Sequence, residues 1–303
     1  MNRAWTSRPT PTLDSFSYDL TDLARQEKVG FLIGHKAEYE RLVDTLARPI
    51  NPNALLIGET GVGKETLVSH LAFEIVKDKV TAALFDKRLV ALELSNLVAG
   101  ANAEELQERL QKIVDEIIAA GNVILYIPEI HNLVRTSGTA YLSAADALMP
   151  IIMDNSFEII GTTYPREFKE FLEPRSDFAG VFEKIHVNEI STDEAERILV
   201  NESLILEKSS GILISFGAIK ESVRLAKKYF RNKLLPSSAE ELLKGALVEA
   251  KRRGERKLGP DLVVKAAEAK VNIPIHEAGE EEAKKLLNLE SIIHERLVDQ
   301  EEA

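Results

Sequence analysis

The feature that most constrains this chain is a short apolar run that ends in a glycine-rich loop. Residues 54–58 read ALLIG, and the loop that follows ends at Gly63-Lys64, where a helical pattern begins. An apolar run of this length predicts a buried strand. Glycine lets the loop curl until several backbone N–H groups face one point, and the following helix adds the positive end of its dipole. The spacing Gly58-x-x-x-x-Gly63-Lys64 therefore predicts a strand, a phosphate-binding loop and a helix.

The residues expected to contact phosphate lie in this loop and in the first turn of the helix. They are Gly58, Thr60, Gly61, Val62, Gly63, Lys64, Glu65 and Thr66. We expect backbone N–H groups to bind the phosphates and the Lys64 ammonium to reach the outer ones. In this motif the residue after the lysine normally carries a hydroxyl that binds Mg²⁺. Here that residue is Glu65, so the metal position is altered.

A second Mg²⁺-organising position is altered at the end of a later apolar run, residues 122–127. An aspartate normally follows such a strand, but Pro128 has neither a carboxylate nor an N–H group and cannot hold a water of the metal. Glu129 stands where a water-activating carboxylate belongs and is the first predicted catalytic residue.

Three interpretations of this altered motif remain open. In the first, the loop binds nucleotide loosely or not at all and does not hydrolyse it. In the second, Glu65 binds the metal itself and hydrolysis continues at a rearranged site, because one carboxylate is lost at Pro128 and another is gained at Glu65. In the third, Glu65 folds back onto the N-terminus of its own helix and partly fills the anion cradle, which the helix dipole favours.

Short apolar runs alternate with stretches of helical spacing in the first two thirds of the chain. They are ALLIG (54–58), LVALEL (89–94), NVILYI (122–127), FEIIGTT (157–163) and FEKIHV (182–187). Between the second and third runs, one face of a predicted helix carries Leu106, Leu110, Ile113, Ile117 and Ile118. Strands that are apolar throughout and alternate with helices predict an α/β fold, in which helices cover both faces of a parallel sheet.

After about residue 189 the strand signals mostly stop and helical patterns follow. These patterns cover 192–207, 216–230, 237–253 and 260–270, with 211–215 as a candidate short strand. Residues 1–15 are rich in Pro, Thr and Ser and predict a flexible tail. We therefore divide the chain into this N-terminal tail (1–15), an α/β core (16–190), a helical domain (191–271) and a C-terminal segment that starts as a linker (272–303).

Composition argues against several functional classes. The formal net charge of −11 disfavours broad electrostatic attraction to nucleic acid or anionic lipid. The chain has no cysteine, which excludes disulfides, thiolate metal sites and cysteine nucleophiles. It has no apolar run of about eighteen residues, and its N-terminus lacks the apolar block of a secretory signal. We therefore expect a cytoplasmic protein that binds neither nucleic acid nor membrane.

Several segments resemble, in order, the first AAA+ module of the Clp-type protein unfoldases. GETGVGK resembles the family's GEPGVGK, LSNLVAG its LGALVAG, PEIHNLV its DEIHTLV, and LLPSSAEELL its FLPDKAIDLI. Ile33-Gly34 falls at the turn that lines the adenine pocket in this family. GTTY, which ends at Tyr164, falls where the family has GATT. The resemblance puts Thr163 in the first-sensor position and makes it the second predicted catalytic residue. Its hydroxyl would either sense the terminal phosphate or satisfy a backbone group at the end of its strand. VNIPI and LLNLESIIHERLVDQEEA resemble the family's linker and the opening of its second AAA+ module.

The resemblance implies an αβα AAA+ core with a five-stranded parallel sheet, followed by a small helical lid. It also implies that residues 272–303 are the linker and the start of a second AAA+ module. ATP or ADP would bind at the boundaries between subunits of a hexameric ring, and a polypeptide substrate would thread through the central pore. A peptidase partner would dock on the second module. Mg²⁺ is expected only if Glu65 binds it.

Further departures from the family affect the motor. The paired arginines of ERRF, which reach a neighbour's nucleotide, are replaced by Ala179-Gly180-Val181-Phe182, and the lysine of the lid motif is Ser238. The aromatic pore loop is replaced by ANAEE at residues 101–105. We therefore predict a module that binds ATP or ADP weakly or without turnover and serves ring assembly of a protein-unfolding chaperone or protease complex. The alternative is an active ATP-hydrolysing unfoldase subunit with a Mg²⁺ site built on Glu65, so its status as an enzyme stays open.

Overall fold

The computed structural model describes residues 8–28, 30, 32–134, 153, 156–230 and 233–271. By its internal contacts the chain divides into two units, Met1–Leu199 with Phe230–Ser238 and Val200–Tyr229 with Ala239–Ala303. We call them the first unit and the second unit. The linker and the start of a second module predicted for 272–303 lie outside the described residues, and so does the beginning of the predicted tail.

The first unit is built on a six-stranded sheet with the order β1-β3-β4-β5-β2-β6. Its strands are β1 (Ser17–Asp19), β2 (Asn53–Ile57), β3 (Arg88–Leu92), β4 (Val123–Ile127), β5 (Glu158–Thr163) and β6 (Glu183–His186). Strands β2 to β6 run parallel and are the five strands predicted from the sequence. The prediction of a five-stranded sheet is corrected by β1, which pairs antiparallel with β3 at the edge. Its three residues include Ser17 and Asp19, so they form no apolar run that a sequence pattern would detect.

Helices of the first unit cover both faces of this sheet. They are α1 (Pro11–Ser15), α2 (Leu20–Arg25), α3 (Lys36–Leu46), α4 (Lys64–Val76), α5 (Leu94–Val98), α6 (Ala103–Ala120), α7 (Pro165–Glu167) and α8 (Ser176–Ala179). On β2, Leu55 and Ile57 join the core that contains α6, whereas Ala54 and Leu56 join the core that contains α4. Successive side chains of a strand point to opposite faces, so an all-apolar strand is buried on both sides, as the α/β prediction requires.

Helix α6 confirms the apolar face predicted for this segment, with one exception. Leu106, Leu110, Ile113 and Ile117 are buried, but Ile118 is 47% exposed. An α-helix turns by about 100° per residue, so Ile118 is rotated away from the stripe on which Ile117 lies. The inclusion of Ile118 in the buried face is therefore wrong.

The predicted N-terminal tail extends too far into the chain. Pro11–Ser15 form α1, and Leu13 is fully buried in the same core as α6. The backbone N–H groups of Thr12 and Leu13 donate to the carboxylate of Glu116 on α6. The prediction that residues 11–15 are flexible is wrong, because a composition rich in Pro, Thr and Ser does not reveal one anchoring leucine and one distant carboxylate.

The second unit is mainly helical. Its helices are α9 (Thr192–Ser210) and α11 (Ser237–Arg252), both of which begin in the first unit, α10 (Phe216–Tyr229) and α12 (Pro260–Val271). Each confirms a predicted helix to within three residues at either end. The candidate strand is present as β7 (Leu213–Ile214), which pairs in parallel with β8 (Lys257–Leu258), a partner too short to predict. In the described part of the chain, no helix is both long enough and apolar enough to cross a bilayer.

Three charged side chains of the second unit lie together on α9 and α11. Lys244 Nζ lies 3.1 Å from Glu202 Oε1 and also pairs with Glu240. Burial raises the pKa of Glu202 to about 7, with Glu240 adding to the rise and Lys244 opposing it. The ionised form of Glu202 therefore costs free energy in the folded chain that it does not cost in the unfolded chain.

We predict that Glu202→Gln raises the free energy of unfolding at high pH and not at low pH. When the pKa of a carboxyl group is higher in the folded chain than in the unfolded chain, its ionisation lowers the free energy of unfolding. The full loss is present at pH values above the pKa of the folded chain. The cost fades as the pH falls from about 7 and is absent below 4.5, where both states are protonated. We expect a gain on the order of 1 kcal/mol at about pH 8, after allowance for solvent screening.

The measurement is urea unfolding of both chains across this pH range. Glu255→Gln, at an exposed position of the second unit, is the matched control and should show no pH-dependent gain. A gain of equal size at about pH 4 would show that the effect does not come from the ionisation of Glu202.

Candidate phosphate-binding site

The loop between β2 and α4 folds as its glycine spacing predicts. Gly61 and Gly63 have φ angles of +87° and +100°, in the left-handed region that favours glycine. Gly58 is needed for a different reason, since a Cβ atom there would lie 2.5 Å from the carbonyl oxygen of Val187. Helix α4 begins at Lys64, so the first N–H groups of the helix, which have no partner within it, lie at the loop. The backbone therefore presents donors and the positive end of a helix dipole at one point.

The loop forms one wall of a cleft of about 260 Å³. The cleft is lined by Thr60, Gly61, Gly63, Lys64, Glu65, Thr66, Glu129, Thr162, Thr163, Tyr164, Lys233 and Ser237. The parallel sheet explains this gathering, because β2, β4 and β5 end at the same edge, where α/β sheets bind ligands. Eight of these twelve residues are predicted site residues, and the structure brings them together in one cavity.

The four other predicted site residues do not line this cleft. Gly58 and Val62 line a smaller cavity of about 120 Å³. Ile33 and Gly34 line neither of these two cavities. Gly34 has a φ angle of +75°, and a Cβ atom there would lie 3.1 Å from the Glu194 carboxylate and 3.3 Å from Ile190. The turn thus lies against the start of α9, and its role at an adenine ring stays a prediction.

The Lys64 ammonium is bound to its own loop. It donates to the carbonyl oxygens of Gly58 and Glu59 over 2.6 and 2.9 Å, and the side chain is almost fully buried. Burial lowers the pKa of Lys64, and the neighbouring carboxylates Glu65, Glu59 and Glu129 oppose this change. A phosphate would therefore have to compete with two carbonyl groups for the ammonium.

The predicted catalytic carboxylate lies in the cleft and is hydrogen-bonded through both of its oxygens. Glu129 accepts from the hydroxyl of Tyr164 over 2.9 Å and from the side-chain amide of Asn132 over 3.1 Å. Its own backbone N–H donates to the hydroxyl of Thr162 over 3.1 Å, and its φ angle is +47°. Glu129 is thus held in place by three neighbours.

Thr163 lines the cleft and is fully buried. Its hydroxyl lies 3.0 Å from Nδ1 of His131, a partner that neither sequence-based alternative for Thr163 names. Its carbonyl oxygen accepts from the N–H group of Gly58 over 3.3 Å, which connects the end of β5 to the start of the loop. A role of Thr163 in sensing phosphate stays a prediction.

Tyr164 is the central site residue that sequence reasoning misses. Its hydroxyl donates to Glu129, and the centre of its ring lies 4.5 Å from Lys64 Nζ and 5.9 Å from the ring of His131. Burial, and then the Glu129 carboxylate, raise the pKa of Tyr164 to about 12, so the hydroxyl stays protonated. The sequence does show a tyrosine at position 164, where the family's GATT has a threonine. This difference does not reveal that the ring lies between Lys64 and Glu129.

The segment before α11 also reaches the loop. Ser237 donates to the carbonyl oxygen of Gly61 over 3.2 Å, and the N–H group of Leu234 donates to the carbonyl oxygen of Thr60 over 3.2 Å. Lys233 lines the cleft, whereas Ser238, which replaces the lysine of the lid motif, is buried. Lys233 lies five residues before position 238, so the lid motif of the family does not indicate it.

His35 holds the other side of the loop. Its side chain is 7% exposed, and Nε2 donates to the carbonyl oxygen of Val62 over 2.8 Å. The residue has a φ angle of +54° and directly precedes α3. The turn at Ile33-Gly34 is thus tied to the phosphate loop through the next residue in the chain, a contact that no sequence pattern indicated.

Known proteins resemble this chain over most of its length. Residues 54–184 match the model of the AAA family, "ATPase family associated with various cellular activities". The Clp protease ATP-binding subunit ClpC of Staphylococcus aureus (strain USA300) is 36% identical, over 78% of this chain and 29% of that protein. The "negative regulator of genetic competence ClpC/MecB" of Bacillus subtilis (strain 168) is 28% identical, over 97% of this chain and 44% of that protein. The S. cerevisiae Hsp104–ADP complex superposes with a TM-score of 0.82 at 30% identity, over 94% of this chain and 50% of that one.

The chain belongs to the Clp-type AAA+ proteins. It spans half or less of the length of each of these relatives. A parallel sheet, a phosphate loop after β2 and a carboxylate after β4 are what this family leads one to expect. The structure places the loop and the carboxylate at the same edge of the sheet.

This Clp-type module changes the groups that hold Mg²⁺ in phosphate-loop proteins. Glu65 is exposed in the cleft in place of the usual hydroxyl, and Pro128 replaces the aspartate after β4. Glu129 is engaged by Tyr164 and Asn132. Among the residues that the structure describes, no three His, Asp or Glu side chains come together as metal ligands. The donors do not reproduce the usual hydroxyl and carboxylate pair for magnesium. Glu65 as a metal ligand stays a prediction.

The segments that replace two motor elements take part in the module's own fold. At the positions of the two missing arginines, Gly180 donates its N–H group to the carbonyl oxygen of Ser176 over 2.9 Å, and Val181 packs half-buried against the core that contains α6. In the segment that replaces the pore loop, Asn102 and Glu105 form a capping box at the start of α6. The Clp-type module therefore uses both segments to complete its own fold.

We predict that Gly58→Ala destabilises the module. The added methyl group would lie 2.5 Å from the Val187 carbonyl oxygen and 2.9 Å from Val62 Cγ2, so the backbone must shift. Overpacking of this kind costs about 1–3 kcal/mol, which urea unfolding would measure. Gly245→Ala in α11 is the control, because no described atom lies within 4 Å of its added methyl group and alanine favours a helix over glycine by about 1 kcal/mol. An unchanged stability of Gly58→Ala would refute the packing argument.

Proposed function

We propose that the cleft binds ATP or ADP with little or no turnover and that the module in this state serves ring assembly of a protein-unfolding chaperone or protease complex. The observation that carries the proposal is the contrast between a well-formed phosphate cradle and an engaged catalytic carboxylate. Gly61, Gly63 and the start of α4 form the cradle, whereas Glu129 bonds to Tyr164. Binding and hydrolysis depend on different groups, and the groups for binding are the ones that are kept.

Nucleotide binding is supported by the backbone and by two lysines. The N-terminus of α4 favours an anion at the loop, and Lys64 and Lys233 both line the cleft. Lys64 bonds two carbonyl oxygens of its own loop, which a phosphate oxygen would replace as acceptors. A bound nucleotide must therefore reorganise Lys64, which is consistent with weak binding.

Slow or absent turnover is supported by the groups around the outer phosphates. Pro128 cannot hold a water of the metal, and an attacking water would have to share the Glu129 carboxylate with Tyr164 and Asn132. The segment 179–182 offers no arginine to a neighbouring site. Loss of such an arginine typically slows phosphoryl transfer by ~10³-fold or more.

Ring assembly is a role that bound nucleotide can support without turnover. A ligand stabilises whichever conformation binds it better, and without hydrolysis nothing releases that state. Hsp104 structures similar to this module hold ADP, or ATPγS with casein. By this likeness we propose further copies of the chain in a hexameric ring as partners, with polypeptide substrates, and a peptidase reached through a second module. A cytoplasmic location belongs to the same proposal.

One observation favours a working ATPase instead. Glu65 is exposed in the cleft beside Lys64 and Thr66, where its carboxylate has access to a metal ion bound to phosphate. Glu65 would then supply the charge that is lost with the aspartate at position 128. The two functions differ in one measurable property, the release of phosphate.

We expect phosphate release from ATP by the purified chain to stay at background, and Glu65→Ala and Glu129→Ala to leave it there. Turnover at about 1 s⁻¹, the low end for enzymes, that either substitution abolishes would establish the ATPase alternative. In sedimentation velocity, the same preparation should form larger species with ADP than without it. Identical distributions in the two conditions would remove ring assembly from the proposal.

A further inference from the structure

One aromatic side chain separates the two groups that face the outer phosphates in a phosphate-loop site. Strand β5 lies between β4 and β2 in the sheet, so Tyr164, which follows β5, stands between Glu129 and Lys64. Its hydroxyl donates to Glu129 Oε1 over 2.9 Å, and the centre of its ring lies 4.5 Å from Lys64 Nζ. The hydroxyphenyl group therefore occupies the space between the carboxylate and the ammonium.

A terminal phosphate would need this same space. The lysine of a phosphate loop reaches the β- and γ-phosphates, and the carboxylate beside it orients the attacking water. The inner part of the site is built separately, from the turned backbone at Gly61 and Gly63 and from the first N–H groups of α4. Tyr164 thus leaves the cradle for the inner phosphates open and closes the outer end.

Charge acts in the same direction as the tyrosine ring. Burial lowers the pKa of Lys64, and Glu65, Glu59 and Glu129 lie close enough to oppose this change. A triphosphate carries more negative charge than a diphosphate, and the carboxylates of Glu65 and Glu129 line the cleft that it would enter. Displacement of the ring would also remove a hydrogen-bond donor from Glu129. The triphosphate therefore meets repulsion that the diphosphate avoids.

We propose that the cleft selects a nucleoside diphosphate over the corresponding triphosphate and that Tyr164 is the specificity-determining residue. This inference rests on the proposed function, since it requires that the cleft bind nucleotide. The inference adds to that function that the bound nucleotide is a diphosphate and that the side chain of Tyr164 excludes the triphosphate. Tyr164 acts by filling the place of the terminal phosphate with its ring, which lies over Lys64 whether or not the hydroxyl bonds to Glu129.

The test is calorimetric titration of the whole chain with ADP and with ATP, both in EDTA so that metal affinity does not enter. We expect ADP to bind the natural chain at least about tenfold more tightly than ATP. In Tyr164→Thr, which removes the ring, the ratio should fall to about threefold or less, mainly through tighter binding of ATP. Tyr164→Phe keeps the ring over Lys64 and should keep the preference.

The control variant is Tyr229→Thr, a tyrosine of α10 that lies outside the cleft and should leave both affinities unchanged. Cooperative urea unfolding shows that each variant is folded before it is titrated. Equal binding of ADP and ATP by the natural chain, or a full preference for ADP in Tyr164→Thr, overturns the inference and leaves the proposed function standing. Loss of the preference in Tyr164→Phe overturns the exclusion by the ring. Failure of both nucleotides to bind the natural chain removes the proposed function as well.

Discussion

The parallel register of the central strands sets the geometry of the first unit. Leu55 on β2 lies opposite Gly161 on β5 and Lys184 on β6, and β4 pairs with the other side of β5. Because parallel strands end at one edge, the loop after β2, Glu129 after β4 and Tyr164 after β5 must meet there. A shift of the register by one residue would turn the alternate side chains of β2 to the wrong faces and disrupt both cores.

Two charges at this edge, those of Lys64 and Glu129, have partners within the protein. Lys64 bonds carbonyl oxygens of its own loop and lies over the ring of Tyr164, and Tyr164 donates to Glu129. Buried polar groups require partners, and in a site built for turnover a phosphate and a water would supply them. Here the partners of Lys64 and Glu129 are the loop carbonyl groups and Tyr164. The fold and the phosphate cradle are thus compatible with changes at the positions that organise hydrolysis.

The parts of the fold and site that the sequence predicts are those encoded by local patterns. The spacing from Gly58 to Lys64 and the apolar strands are examples, because backbone sterics and burial act on neighbouring residues. The missed parts depend on distant contacts. Tyr164 meets its partners only because β5 lies between β4 and β2, an order that no local pattern encodes. His35 binds the carbonyl group of Val62, 27 residues away, for a reason equally invisible in the sequence.

The central claim is that the loop backbone and Lys64 hold nucleotide phosphates without a metal ion. Calorimetric titration with ADP in excess EDTA and in excess Mg²⁺ tests it most directly. We predict dissociation constants that agree within about twofold, and a loss of at least about tenfold in Lys64→Ala under both conditions, because a hydrogen bond from a charged group contributes about 1.5–3 kcal/mol. Binding that requires Mg²⁺, or an affinity for ADP that Lys64→Ala leaves unchanged, would contradict the claim.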